Sequence, residues 1–289
     1  MPARSSAVGS KLGGAEAEMP ARRVLAYAAC IGELGDVYFD DARAGGIIAP
    51  PPICVSLEWP VVSGARAQEG LGMAPDERLR AVHTSQDSIF HRPIRPGDRL
   101  RTEGTLVAVR RTRAGALSLT KLETTQAATG EPVVTSWSSS ISRGVAVEGE
   151  DRVQEEAPPL PEAAAPEAGD MERIEIGIPR EMPHVYTECA DIWNPIHTER
   201  AVALAAGLPD IILHGTATWA LAAREIVGRR CGGDPTRLKR LYGRFAAMVI
   251  PGSSIAVEIG PARDGAVSFA VRNESGETAI ANGLAVVGS

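Results

Sequence analysis

The sequence predicts an α+β fold built twice, with two similar halves that each wrap a long antiparallel sheet around one central helix. Three observations carry this. A Glu-, Ala- and Pro-rich stretch, EGEDRVQEEAPPLPEAAAPEAGD (148–170), divides the 289 residues into halves of similar length. The halves repeat the same order of motifs. Each half then ends in β-rich runs broken at glycine-containing turns.

From the N-terminus, MPARSSAVGSKLGGAEAEMPARR has charges but no apolar h-region, so it does not read as a secretory signal. A flexible leader is expected over 1–20, with Met19 a candidate start. A first domain is expected over 21–147, a linker over 148–170 and a second domain over 171–289. The linker expectation rests on composition, because that stretch has too few bulky apolar residues to offset its ordering entropy.

The repeat is read by setting GELGDVYFDDARAGGIIAPP (32–51) beside ADIWNPIHTERAVALAAGLPDIILHG (190–215). Each copy has an acidic turn, an aromatic or imidazole, an Ala-rich stretch, a glycine and an Ile-Ile pair. Paired turn signals follow, RPIRPGDRL (92–100) and FAAMVIPGSSI (245–255). The runs after them alternate and turn at RAG, TGE, RDG and SGE, as antiparallel hairpins do. TATWALAAREIVGRR (216–230) reads as the main helix of the second half. Arg229 and Arg230 sit where the dipole favours cations, and Gly232-Gly233 ends it. It is apolar nearly all round, which predicts a buried helix.

The bulk numbers exclude several function classes. A net charge of −6 argues against a general nucleic-acid binder. The sequence has no apolar run long enough to span a membrane. Cys30, Cys54, Cys189 and Cys231 form no CxxC pair and read as reduced and structural, which points to a cytoplasmic protein. His83 and His91 have no carboxylate–His or Cys–His spacing beside them, so no metal site is expected. The arginines at 92, 95, 99, 101, 110, 111 and 113 can be read as phosphate contacts or as a solvated sheet edge.

YTECADIWNPIHTERAVALAAGLPDIILHG resembles the signature of the MaoC-like, or (R)-specific enoyl-CoA hydratase, family. The specific part is Asn194-Pro195-Ile196-His197 with His214-Gly215 downstream. With the linker and the weaker first copy, the chain resembles the double-hotdog members of that family. The resemblance implies a tandem hotdog fold and hydration of a trans-2-enoyl thioester, or the reverse. It also implies a CoA thioester as substrate with no resident cofactor, and a homodimer of double-hotdog chains.

The residues fit that chemistry on their own terms. Hydrating a conjugated C=C bond needs a base for water, an acid for the α-carbon and a donor for the enolate oxygen. His197 suits proton transfer near neutral pH, and its bland alternative is a helix cap. Asp191 can hold the water partner or share the proton, and it can equally be an exposed turn residue. Pro195 pushes Asn194 out of the helical region, and Asn194 is read as a turn-stabilising support. Gly215, where the main helix begins, offers an N–H free of any intrahelical partner for an oxyanion. His214 is read as supporting or cavity-lining. Trp193 and Trp219 are read as core residues or as lining of an acyl tunnel, and Glu199 as solvent-facing or capping.

One departure from the family pattern stands out. The acid stands five residues before the His in the family, and here Asp191 stands six before His197, with Ile192 in the expected place. Laid ungapped on the second copy, the first has Tyr38 for His197 and Glu33 for Ile192; with the Ile-Ile pairs aligned, Pro50-Pro51 replace His214-Gly215. Proline has no N–H, so the first copy is expected to be catalytically silent. A non-catalytic acyl-CoA-binding hotdog protein and a hotdog thioesterase are the competing functions.

Overall fold

The computed structural model of the chain describes residues 2–67, 81–162 and 170–288. The chain divides into two compact units, Met1–Ala17 with Leu57–His91 and Arg99–Leu160, and Glu18–Ser56 with Arg92–Asp98 and Pro161–Ser289.

The first unit holds β1 (Ala3–Arg4), β2 (Lys11–Glu18, ending at the unit boundary), β3 (Ala81–Phe90), β4 (Arg99–Thr112), β5 (Gly115–Gln126), β6 (Pro132–Arg143), β7 (Val147–Glu148) and β8 (Arg152–Val153). Its sheet runs in the order β2-β4-β5-β6-β3, with β8 beside β4. The pairs β4–β5, β5–β6 and β3–β6 are antiparallel. A helix (Cys54–Ala67) enters this unit at Leu57 and lays Val61 against Leu12, Leu106, Val109 and Leu122. Its Glu58, buried, accepts from Gln86 Nε2 at 2.9 Å and from the Ser136 hydroxyl, which satisfies a carboxylate in the core.

In the second unit α1 (Ala21–Cys30) and α2 (Asp36–Phe39) come from the first half of the sequence; the helix at 54–67 is then α3. The second half adds β9 (Glu172–Ile178), α4 (Met182–Ala190), α5 (Arg200–Ala205), α6 (Gly215–Arg230), β10 (Leu238–Phe245), β11 (Ser253–Ile259), β12 (Ala266–Asn273) and β13 (Thr278–Val287). The order β10-β13-β12-β11-β9 is antiparallel throughout. Helix α6 is the expected main helix and begins one residue earlier, at Gly215. Ala217–Ala223, Ile226 and Val227 are all buried. Trp219, fully buried on it, is a core residue. The fold is the expected double hotdog.

The repeat is written in the backbone of the second unit. Gly97 N–H donates to Met19 O at 2.8 Å, and Gly252 N–H to Ile178 O at 2.7 Å. Ala49 N–H donates to Ile94 O as Leu213 N–H does to Val249 O. Glu33 N–H donates to Ala28 O at 3.0 Å, and Ile192 N–H to Thr187 O at 3.1 Å. Tyr38 N–H reaches Gly35 O where His197 N–H reaches Asn194 O. These bonds pair Tyr38 with His197, Glu33 with Ile192 and Pro50-Pro51 with His214-Gly215, the registers read from the sequence.

The expected flexible leader is corrected for residues 3–18. Ala3–Arg4 pairs parallel with Val147–Glu148, β2 lies beside β4, and Met19 is fully buried. Backbone pairing needs little apolar content, which is why composition does not reveal it. The described part of the linker is likewise laid on β4 and β5. Arg152–Val153 pairs with Val109 and Ala108, Glu156 meets Arg110, Asp151 accepts from Arg111 N–H, and Glu155 meets Lys121. The remainder of the expected linker, 163–169, lies outside the described residues. The charges of that segment thus take up Arg110 and Arg111.

Candidate active site at the start of the central helix

The turn after α4 sets up the site. Asp191 closes α4 in a left-handed conformation, φ 55°, which Asp tolerates better than most residues. Its first-copy counterpart, Gly32, has φ 71°. That geometry turns the Asp191 side chain outward. It is 78% exposed, and its Oδ2 lies 3.6 Å from Nη2 of Arg23 on α1. Ile192 is buried at 5% exposure. Trp193 is 61% exposed, in neither a core nor a tunnel.

Asn194 then caps the 3₁₀ turn Pro195–His197, its side chain accepting from Ile196 N–H. This is the turn-supporting part expected of it. The turn delivers His197, whose Nδ1 lies 2.8 Å from Ile212 O. A ring N–H donating there fixes the tautomer and leaves the Nε2 lone pair free. Burial pulls the imidazole down to about 4, partly opposed by the Ile212 carbonyl, so the ring is neutral at neutral pH.

His214, nearly fully buried, stacks on His197 with ring centroids 3.7 Å apart and 23° between planes. Its Nε2 lies 3.2 Å from the Thr187 hydroxyl, and Tyr186 packs against its other side at 5.0 Å. Burial first, and the neighbouring His197 second, push its pKa well down. Two neutral rings can stack this closely without charge repulsion.

His214 is the N-cap of α6, its carbonyl accepting from Ala217 and Thr218 N–H. The next residue, Gly215, opens the helix with an N–H that has no partner among the described residues. A Cβ at Gly215 would sit 3.1 Å from the Phe245 ring, so this glycine answers a close approach and not an unusual φ. The stack therefore holds a neutral imidazole beside the electropositive start of a buried helix. Among the residues expected to act, His197, His214, Gly215 and Asn194 are brought together. The Asp191 carboxylate is directed to solvent and Arg23.

Thr187, Ile212 and Tyr186 were not singled out in the sequence, yet they orient the two rings. The one available signal was Tyr186-x-x-Cys189 repeating Tyr27-x-x-Cys30. The two tyrosines meet at 6.0 Å.

The first copy shows the same scaffold with other groups. Tyr38 is buried in the His197 position, and Glu33 is raised to about 7, mainly by burial, with Arg224 opposing. Pro50-Pro51 stand in the place of the helix-opening donor. Elsewhere, His83 Nε2 meets the Ser138 hydroxyl and Ser85 O at 3.0 Å, and His91 meets Thr135. Among the described residues no cluster of three or more His, Cys, Asp or Glu has the geometry to hold a metal. No helix there is long and apolar enough to cross a membrane.

Comparison with known proteins follows this division. A family model described as "FAS1-like, dehydratase domain region" matches residues 6–136, and one described as "MaoC like domain" matches 172–282. A probable enoyl-CoA hydratase 2 from Dictyostelium discoideum is 27% identical over 175 residues, covering 60% of this chain. That match spans 58% of the relative's own length. A UPF0336 protein from Saccharopolyspora erythraea is 33% identical over 141 residues, 46% of this chain and 88% of the relative. The crystal structure of a MaoC-like dehydratase from Phytophthora capsici superposes with a TM-score of 0.80 at 23% identity, over 98% of this chain and 96% of the other.

Proposed function

The chain belongs to the MaoC-like dehydratase family, and from that premise we propose that it hydrates a trans-2-enoyl thioester, or dehydrates the 3-hydroxyacyl thioester, at one site in its second half. The observation that carries this is the His197–His214 stack at the start of α6, with His197 Nε2 and Gly215 N–H both unspent.

In the forward direction, His197 Nε2 takes a proton from water as the oxygen bonds the β-carbon. The electron pair of the C=C bond shifts to the Cα–C(=O) bond as the carbonyl pair moves onto the thioester oxygen, where Gly215 N–H at the helix terminus donates to the developing oxyanion. The imidazolium then returns its proton to the α-carbon, regenerating the neutral ring. One imidazole thus serves both proton transfers, and the balance needs no cofactor. General acid–base help of this kind is worth about 10²–10⁴-fold. Asp191 is assigned no part in the transfer, because its carboxylate faces solvent. His214 aligns the ring, and Asn194 holds the turn.

The substrate is proposed to be an acyl-CoA, as the name of the Dictyostelium relative suggests. The cytoplasm is proposed as the location, in keeping with four free cysteines, and a homodimer of double-hotdog chains as the assembly. The first half is proposed as a silent partner domain.

A second reading, a non-catalytic acyl-thioester binder, is favoured by the apolar Ile192 in the acid's place. One experiment separates the readings. Purified protein is given crotonyl-CoA and longer or branched 2-enoyl-CoAs, and both enoyl absorbance and released thiol are followed. Hydration removes the absorbance and leaves the thioester intact. Release of CoA thiol instead would mark a thioesterase, and binding without either change would establish the non-catalytic reading.

A further inference from the structure

Of the seven arginines that the sequence offers as phosphate contacts, most are taken up by carboxylates. Arg92 pairs with Asp98, Arg101 with Glu103 and Glu16, Arg110 with Glu156, and Arg111 with Glu150 and Asp151. Arg95 is different. It lies with Arg43 on a cavity of about 410 Å³ within the second unit. Neither guanidinium pairs with a carboxylate among the described residues. That cavity includes none of the groups assigned to hydration.

The turn between the two arginines is built to present donors. Gly45 and Gly46 adopt φ 84° and 63°, a conformation side-chain-bearing residues rarely take. Arg95 Nη1 donates to Gly45 O at 2.7 Å and Arg43 Nη1 to Gly46 O at 2.9 Å. The carbonyls of the turn are thereby occupied, while the N–H groups of Ala44 and Gly45 have no partner among the described residues. Each arginine keeps further N–H donors beyond the bond that fixes it. The cavity's single carboxylate, Asp234, is engaged locally, accepting from Thr236 N–H at 2.9 Å and its hydroxyl at 2.7 Å. Two arginines and two residues with unpartnered amides thus line the cavity beside one engaged carboxylate, a balance that favours a compact anion.

We propose that this cavity binds a phosphate-bearing small molecule, its phosphate held by Arg43, Arg95 and the amides of the Gly45 turn. The volume is that of a small-ligand site, and Val37 and Ile48 give it an apolar wall. A nucleotide or an inorganic phosphate supplies the same recognised chemistry, and the test distinguishes them.

Calorimetric titration of the full chain with pyrophosphate, adenosine 3′,5′-bisphosphate and adenosine tests this. At least one phosphate compound is expected to bind, more weakly as salt rises, while adenosine does not. The bisphosphate binding alone identifies a nucleotide site, and pyrophosphate binding as well or alone identifies a general phosphate site. Arg43→Gln and Arg95→Gln are each expected to weaken binding about tenfold or more, and His197→Ala to leave it unchanged. Because both arginines also hold the Gly45–Gly46 turn, Asp234→Asn is the second variant. Asparagine preserves the cap while removing the opposing charge, so affinity should rise severalfold. The proposal is overturned if neither phosphate compound binds, if binding survives both arginine substitutions, if it is lost in His197→Ala, or if Asp234→Asn fails to tighten it.

Discussion

The two copies of the loop-and-helix motif share a backbone and differ in the groups it carries. The N–H groups of Glu33 and Ile192 donate in the same register, as do those of Tyr38 and His197. One copy keeps a half-buried carboxyl beside a phenol and opens toward prolines. The other keeps an imidazole and an unspent helix N–H, with an isoleucine where a carboxylate could stand. The comparison teaches that the scaffold's turn geometry is retained independently of its chemistry. On the proposed mechanism, the donor at the helix start and the titratable ring must occur together for a site to exist.

The strongest way to break the distinction is to make the second copy resemble the first. His197→Tyr, copying Tyr38, is expected to lower kcat for 2-enoyl-CoA hydration by about 10²–10⁴-fold, with the fold checked by circular dichroism. Gly215→Pro, copying Pro51, removes the oxyanion donor at a helix position where proline is accepted. Its expected cost in kcat is about 10²–10³-fold. Gly215→Ala keeps the N–H and adds only the contact with Phe245, so kinetics of the two variants separate the lost donor from crowding.

A pH series sharpens the comparison next. The His197 pKa is depressed to about 4 by burial, so the unfolded chain binds the proton more readily. The stability it contributes is fully present above about 6.5 and is lost as pH falls from there through about 4. Thermal melts across that range should show a declining Tm in the wild type and a smaller decline in His197→Tyr. The acid limb of kcat should lie well below pH 6.5 for the same reason.

The register of the repeat was legible in the sequence because turns and proline-containing motifs recur in order, and backbone bonds follow them. The outward Asp191 had a readable sign as well. Its first-copy counterpart is Gly32, a residue suited to the left-handed conformation that both positions adopt. What was not legible depends on contacts across distant segments. The Ile212 carbonyl that orients His197 and the Thr187 hydroxyl on His214 leave no pattern in the chain. Nor does the pairing of residues 3–18, whose place in a sheet rests on backbone groups every residue has. The placement of residues 18–56 in the second unit is equally invisible to a reading that cuts the chain at its linker.

The smallest expected effect bears most directly on the central claim, that the site works through His197 without Asp191. The Arg23–Asp191 contact, at 3.6 Å, joins a largely buried guanidinium to a carboxylate that is mostly in solvent, and water screens such a pair so that it is worth little in stability. The deciding measurement is kcat/KM for 2-enoyl-CoA hydration of Asp191→Asn beside His197→Ala. Asp191→Asn is expected to stay within about threefold of wild type, in line with a carboxylate screened by solvent, while His197→Ala loses about two orders of magnitude or more. Equal, large losses in both variants would contradict that claim and make Asp191 a working member of the site.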